Sequence, residues 1–255
     1  MSAVGSPLAA LVGLALPVTC AACGQPDEAV CRRCRLELEA CRWVGGARHC
    51  RPDPAPSGLP AVHAAGRYEG PLARLAAAYK DDDRRDCATI LADLLASALD
   101  AAIRASPPHL RVLAAGDGPL LLVPVPSSAA ARRRRGDTPL TALAAGVAHG
   151  FGRHELVLAD ALKPRRRVAD QAGLTARARA VNLEHSMVVR RRWEPVVAGS
   201  ACVVVDDVLT TGATLVEAAR ALRSSGSGPV VAATVCATQR RLQPRRRPPG
   251  QLAEP

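Results

Sequence analysis

The sequence predicts an α/β protein: an open, mostly parallel sheet flanked by helices, with a small metal-binding module at its amino-terminal end. Three observations predict it. Apolar runs of strand length, L-L-L-V-P-V-P at 120–126, C-V-V-V at 202–205 and P-V-V-A-A-T-V-C at 229–236, have the make-up of strands buried on both faces. Helical patterns alternate with them, the clearest being Ile90, Leu91, Leu94, Leu95, Leu99 and Ile103 on one face. Ahead of both stand two Cys-x-x-Cys pairs within residues 20–34.

In chain order, residues 8–18 are apolar but lack a basic lead and a small-x-small cleavage site, so no export signal is expected. No run has the length of a membrane span, and the expected compartment is cytoplasmic. Cys20, Cys23, Cys31 and Cys34 follow, separated by a turn with Gly24 and Pro26. Four thiolates at this spacing favour one tetrahedral zinc ion. A disulfide scaffold would call for an exported chain, and a redox Cys-x-x-Cys normally stands alone beside a βαβ unit. Cys41 and Cys50 are too widely spaced for a second such site, and Cys87, Cys202 and Cys236 read as small buried hydrophobes.

The stretch R-P-D-P-A-P-S-G-L-P at 51–60 reads as an extended linker. The expected organisation is therefore 1–50 for an amino-terminal helix and the four-cysteine module, 51–60 for the linker, 61–238 for the α/β domain and 239–255 for a disordered basic tail. Within the domain, 62–68 is a candidate strand, Gly70-Pro71 opens a helix to about Tyr79, and 81–86 is a solvated turn. The helix over 90–103 is expected to end in the region of Pro107, Pro108 and residues 116–119. After the strand at 120–126 come a helix at 139–150, strands at 155–158 and 187–190, and a polar helical segment at 170–182 suited to covering a site. The strand at 202–206, a helix at 216–222 and the closing strand at 229–236 complete the domain.

The chemistry concentrates in C-V-V-V-D-D-V-L-T-T-G-A-T-L at 202–215. A buried strand delivers Asp206 and Asp207 to a turn made of Thr210, Thr211, Gly212, Ala213 and Thr214, and a helix follows. Hydroxyls, a glycine that admits close backbone approach and the free amides of a helix start together cradle a phosphate. Carboxylates at a strand end accept hydrogen bonds from sugar hydroxyls or hold a metal ion. A phosphate beside a diol describes a ribose 5-phosphate. Capping alone would need one such residue rather than this whole set. Neither a Walker A loop nor a dinucleotide fingerprint occurs.

Composition bounds the partners. Hydrophobic residues make up 48% of the 255 but aromatic residues only 2%, so the core is built of Leu, Val and Ala. The net charge is +11, from 34 basic and 23 acidic residues, with Lys80 and Lys163 the only lysines. Such a surface attracts nucleic acid or phosphorylated small molecules, and codon bias toward arginine is an equally simple source of the excess. The scarcity of aromatic platforms argues against single-strand stacking.

The motif at 202–215 resembles the phosphoribosyl pyrophosphate (PRPP) motif of type I phosphoribosyltransferases. Together with the four-cysteine knuckle, R-Y-E-G-P-L at 67–72, Tyr79-Lys80, V-P-V-P before an arginine-rich stretch, and Q-x-G-L-x-x-x-x-R-x-x-N at 171–182, it is similar to the ComF family of competence-associated phosphoribosyltransferase-like proteins. The resemblance implies a type I phosphoribosyltransferase-like fold with one structural zinc on Cys20, Cys23, Cys31 and Cys34. It implies that Asp206 and Asp207 are the catalytic-site carboxylates on the ribose hydroxyls and that Thr210, Thr211, Gly212, Ala213 and Thr214 hold the 5-phosphate. The diphosphate would lie on a loop of Pro124, Val125, Pro126, Ser127 and Ser128, with the run at 132–135 as neutralising charge. Gln171, Gly173, Arg179 and Asn182 would belong to the hood over the acceptor. Where relatives carry R-G-F-N-Q, this chain has R-G-D-T-P at 135–139. The implied activity is transfer of the phosphoribosyl group of PRPP, with Mg²⁺, to an acceptor such as a nucleobase. The alternative implied role is a PRPP-sensing or DNA-uptake accessory that binds single-stranded DNA or a protein partner.

Overall fold

The computed structural model describes residues 18–115, 118, 120–127, 138–151, 156–165 and 185–239. Their elements are α1 (Arg32–Cys41), β1 (Arg48–Cys50), β2 (Val62–Arg67), α2 (Gly70–Asp81), α3 (Ala88–Arg104), α4 (Pro107–Ala115), β3 (Leu120–Pro124), α5 (Pro139–Phe151), β4 (Leu156–Leu158), β5 (Leu162–Pro164), β6 (Met187–Val189), α6 (Glu194–Val197), β7 (Cys202–Leu209), α7 (Ala213–Ser224) and β8 (Val230–Ala237). No described helix is long and apolar enough to cross a membrane.

Six strands form one sheet in the order β1-β2-β8-β7-β3-β4, parallel throughout except for the antiparallel β1 edge. The apolar runs read as doubly buried strands are so. Leu120, Leu122, Val203, Val205, Val231, Ala233 and Val235 face one core, which α3 fills with Leu91, Leu94, Leu95 and Leu99 and α5 with Leu143 and Val147. Leu121, Val123, Cys202, Val204, Val230 and Ala232 face the other, against Leu215, Ala218 and Leu222 of α7. Each fully buried Leu contributes roughly 1.5–3 kcal/mol, so a core nearly free of aromatics is still sufficient.

The topology locates a crevice. From β3 the chain crosses through α5 to β4 on one side, whereas from β7 it crosses through α7 to β8 on the other. The two crossover helices accordingly lie on opposite faces. The carboxyl ends of β3 and β7, adjacent in the sheet, are therefore a topological switch point, where open α/β sheets bind ligands.

Several local expectations change. Pro107 and Pro108 do not merely end a helix: α3 stops at Arg104 and Pro107 starts α4, because proline fits the first helical turn, whose amides have no partner to lose. The strand β7 runs past Val205 through both aspartates to Leu209, since β8 keeps pairing with it as far as Leu209↔Ala237. A two-stranded antiparallel unit, β5 with β6, occupies a stretch whose first half was not read as a strand. The segment expected to be a linker is packed: a Cβ on Gly212 would lie 2.8 Å from Leu59 Cδ1 and 3.5 Å from Pro56 Cγ, and the Gly58 carbonyl accepts a bond from Arg223 at 3.2 Å.

The four-cysteine module also leans on the sheet. Arg42 bridges Gly66, the Trp43 N–H donates to the Ala65 carbonyl at 3.2 Å, and β1 extends the sheet beyond β2. Its buried Cys20, Val30, Cys34 and Leu38 join the same core as α3.

Candidate active site and metal centre

Residues at the carboxyl end of β7 build the site. Register places Asp206 beside Thr234 of β8 and, on the other side, Val205 beside Pro124, with the Val125 N–H donating to the Val205 carbonyl at 3.0 Å. Pro124, Val125, Pro126 and Ser127, the expected diphosphate loop, thus begin next to the acidic pair. Ser128 lies outside the described residues, as do the arginine run and the hood residues Gln171, Gly173, Arg179 and Asn182.

The two carboxylates differ in their surroundings. Asp206 Oδ1 accepts the Asp207 N–H at 2.9 Å, and Asp207 Oδ1 accepts the Val208 N–H at 2.8 Å. Asp207 Oδ2 is 2.6 Å from the Lys80 ammonium, which arrives from the last turn of α2. Burial, then the neighbouring Asp207 charge, push Asp206 well above the usual carboxylate range against the pull of Lys80. Burial works against the Lys80 ammonium too, but the charges of Asp207 and Asp206 outweigh it and raise its pKa above the ordinary lysine value. The pair is therefore unequal: Asp206 is shifted toward its protonated form, and Asp207 is ion-paired.

Downstream, Gly212 adopts φ +78°, a left-handed conformation open to glycine, and caps α7. The Val216 N–H makes its helical bond to the Gly212 carbonyl at 2.9 Å, so the amides of 213–215 precede the ladder, and only that of Ala213 is touched, loosely, by the Thr211 hydroxyl at 3.4 Å. Thr210 is exposed and Thr211 and Thr214 are half-buried. Carboxylates, hydroxyls and open helix amides thus share one crevice, a geometry suited to a sugar phosphate.

Two residues to which local sequence patterns assign no role at this site support the crevice. Lys80 is one, for nothing short of the tertiary fold brings α2 to β7. The other is Glu217, whose side chain is 4% exposed and accepts the amides of Met187 at 2.8 Å and His185 at 3.2 Å while pairing with Arg220 at 2.7 Å. It ties α7 to β6. A glutamate three residues before an arginine on an otherwise apolar helix face was the available signal.

The cysteine cluster is a separate centre. The first Cys-x-x-Cys is a turn closed by the Gly24 N–H on the Cys20 carbonyl at 2.8 Å, and the second begins α1, with Cys31 as its N-cap. The Sγ atoms of Cys20, Cys23, Cys31 and Cys34 lie within 4.8 Å of one another, Cys23 and Cys31 at 3.7 Å. Sulfurs bound to one zinc at about 2.3 Å would be roughly 3.8 Å apart, so the four fit that ion. Burial opposes a thiolate at Cys20, but the amides of Cys31, Ala22 and Cys23 lower its pKa to about 6, whereas burial and the surrounding thiols raise Cys34. Such crowding is relieved by a shared cation. Cys41, Cys87, Cys202 and Cys236 are buried outside the cluster, and Cys50 is half-buried.

Comparison with known families agrees with the geometry. Residues 135–252 match the phosphoribosyl transferase domain. The match contains Asp206, Asp207 and the threonine-glycine turn, while β3, Lys80 and the cysteine cluster precede it. No curated protein matches the chain.

Proposed function

We propose that this protein binds PRPP with Mg²⁺ and transfers its phosphoribosyl group to a nitrogen acceptor of the nucleobase type, releasing pyrophosphate. The observation that carries this reading is the switch-point crevice, where Asp206 and Asp207 face a Thr/Gly turn at the amino terminus of α7 inside the phosphoribosyl transferase match. With the cysteine knuckle and the hood sequence, the reading places the chain among ComF-like members of that superfamily.

In this reading the amides of 213–215 and the hydroxyls of Thr210, Thr211 and Thr214 bind the 5-phosphate. Asp207, fixed by Lys80 and its own backbone, accepts a ribose hydroxyl. Asp206, with Oδ1 engaged by the Asp207 amide, has Oδ2 left for the neighbouring hydroxyl or the metal. Magnesium arriving with PRPP would be held by these two acids and would neutralise charge on the departing diphosphate. Holding ribose and diphosphate in line is the main requirement of such a displacement at C1, and in this reading the loop that starts at Pro124 holds the second of them. Zinc on the four cysteines serves the scaffold.

The test is pyrophosphate release from PRPP and Mg²⁺ over a panel of purines, pyrimidines and small amines, with products identified by mass. Release that depends on one acceptor class supports transfer. Saturable PRPP binding without release on any acceptor would leave a ligand sensor in place of an enzyme.

A further inference from the structure

We propose that Lys80 is a ligand-binding residue of the phosphoribosyl site, an ammonium anchored on Asp207 that offers its remaining donors to the diphosphate of PRPP. This rests on the function proposed above and adds to it a contact from outside the matched domain.

Three observations carry the assignment. The ammonium lies 2.6 Å from Asp207 Oδ2, yet the side chain is 52% exposed, so one donor is committed and the others open to the crevice. Among the described residues no second ion pair engages it. Its position is also fixed from behind. The Tyr79 hydroxyl donates to the Pro139 carbonyl at 3.0 Å, and Arg85 lies over the Tyr79 ring at 4.9 Å. Pro139 opens α5, so this bond ties the end of α2 to the far end of the segment joining β3 to α5, whose near end is the expected diphosphate loop. Lys80 therefore rests on the acidic pair of β7, and the neighbour of β7 in the sheet is β3, which ends at Pro124, where the expected diphosphate loop begins.

The charge logic fits. With an arriving polyanion, an ammonium resting on a carboxylate exchanges part of one anionic partner for another without being desolvated anew. A lysine suits this role because its compact charge turns on a flexible stem. Its rarity here is notable, as all but two of the 34 basic residues are arginine.

The experiment compares the full-length wild type with Lys80→Met and Lys80→Arg by calorimetry, using two probes in Mg²⁺ buffer: PRPP, and ribose 5-phosphate, which lacks the diphosphate. The expected result is a loss of PRPP affinity of about tenfold or more in Lys80→Met, from removal of a charge-assisted contact, partial recovery in Lys80→Arg, and ribose 5-phosphate affinity within about threefold throughout. Equal PRPP affinity in all three proteins would overturn the assignment while leaving the proposed function standing. So would equal losses for both probes, which would mean that Lys80 only organises Asp207. A wild type that binds neither probe would remove the proposed function and this contact with it. Circular dichroism of Lys80→Met matching the wild type shows that the comparison is between folded proteins.

Discussion

The molecule holds two clusters of acidic side chains, and they meet the same electrostatic problem in opposite ways. At Cys20, Cys23, Cys31 and Cys34 four thiol sulfurs crowd to within 4.8 Å of one another. At Asp206 and Asp207 a cation is built in, since Lys80 sits 2.6 Å from one acid while burial raises the pKa of the other. A cluster that relies on a shared ion is suited to holding it permanently. A cluster balanced by a tethered lysine is stable before its ligand arrives and can exchange it. The difference separates scaffold from site. The two are linked, too: Arg84, just beyond Lys80, donates to the Thr19 carbonyl at 2.6 Å, beside Cys20.

The largest effect should come from breaking the permanent side. Purified protein should contain about one zinc per chain. Cys20→Ser with Cys34→Ser should cost several kcal/mol, read as a fall in Tm of about 10 °C or more. A metal-free protein with an unchanged melting curve would show that the thiols are mere packing.

Next, Gly212→Ala tests whether the exchangeable side depends on chain shape as well as charge. The added Cβ must adopt φ +78° and meets Leu59 at 2.8 Å, so a loss of about 1–3 kcal/mol in denaturant unfolding is expected. PRPP affinity should fall with it. Unchanged stability would mean that the segment over 56–59 does not brace the turn.

The smallest effect sharpens the contrast within the acidic pair. Asp206 has a folded pKa above the ordinary 3.8, so the unfolded chain gives up this proton first as pH rises. Stability is therefore lost as pH climbs through the interval between the two values, and the penalty is complete above the folded one. Asp206→Asn, always neutral, should be more stable than the wild type by about 1 kcal/mol near pH 8, with the gap closing below about pH 4. A gap that does not vary with pH would mean that folding leaves the Asp206 pKa at its unfolded value.

What was legible in the sequence was whatever local pattern encodes. Three valines before two acids marked the core strand, and Cys-x-x-Cys spacing marked the metal centre. Thr-Thr-Gly marked the turn that opens α7. Pairing and packing over long range were not legible. The strand β7 continues through its acids because β8 holds it there. Pro107 starts a helix where proline alone suggested an end, and residues 56–59, from a proline-rich stretch, lie close against Gly212, more than 150 positions away. Lys80 is the plainest case. Its sequence neighbours say only "end of helix", and its partner lies five strands later in the chain, on β7.

The most direct measurement is calorimetric titration of Mg²⁺ and PRPP into the wild type and into Asp206→Ala with Asp207→Ala. A sugar-phosphate crevice at the end of β7 predicts saturable binding by the wild type and affinity at least about tenfold weaker in the folded double variant. Equal affinity in both proteins, or no binding by the wild type, would contradict it.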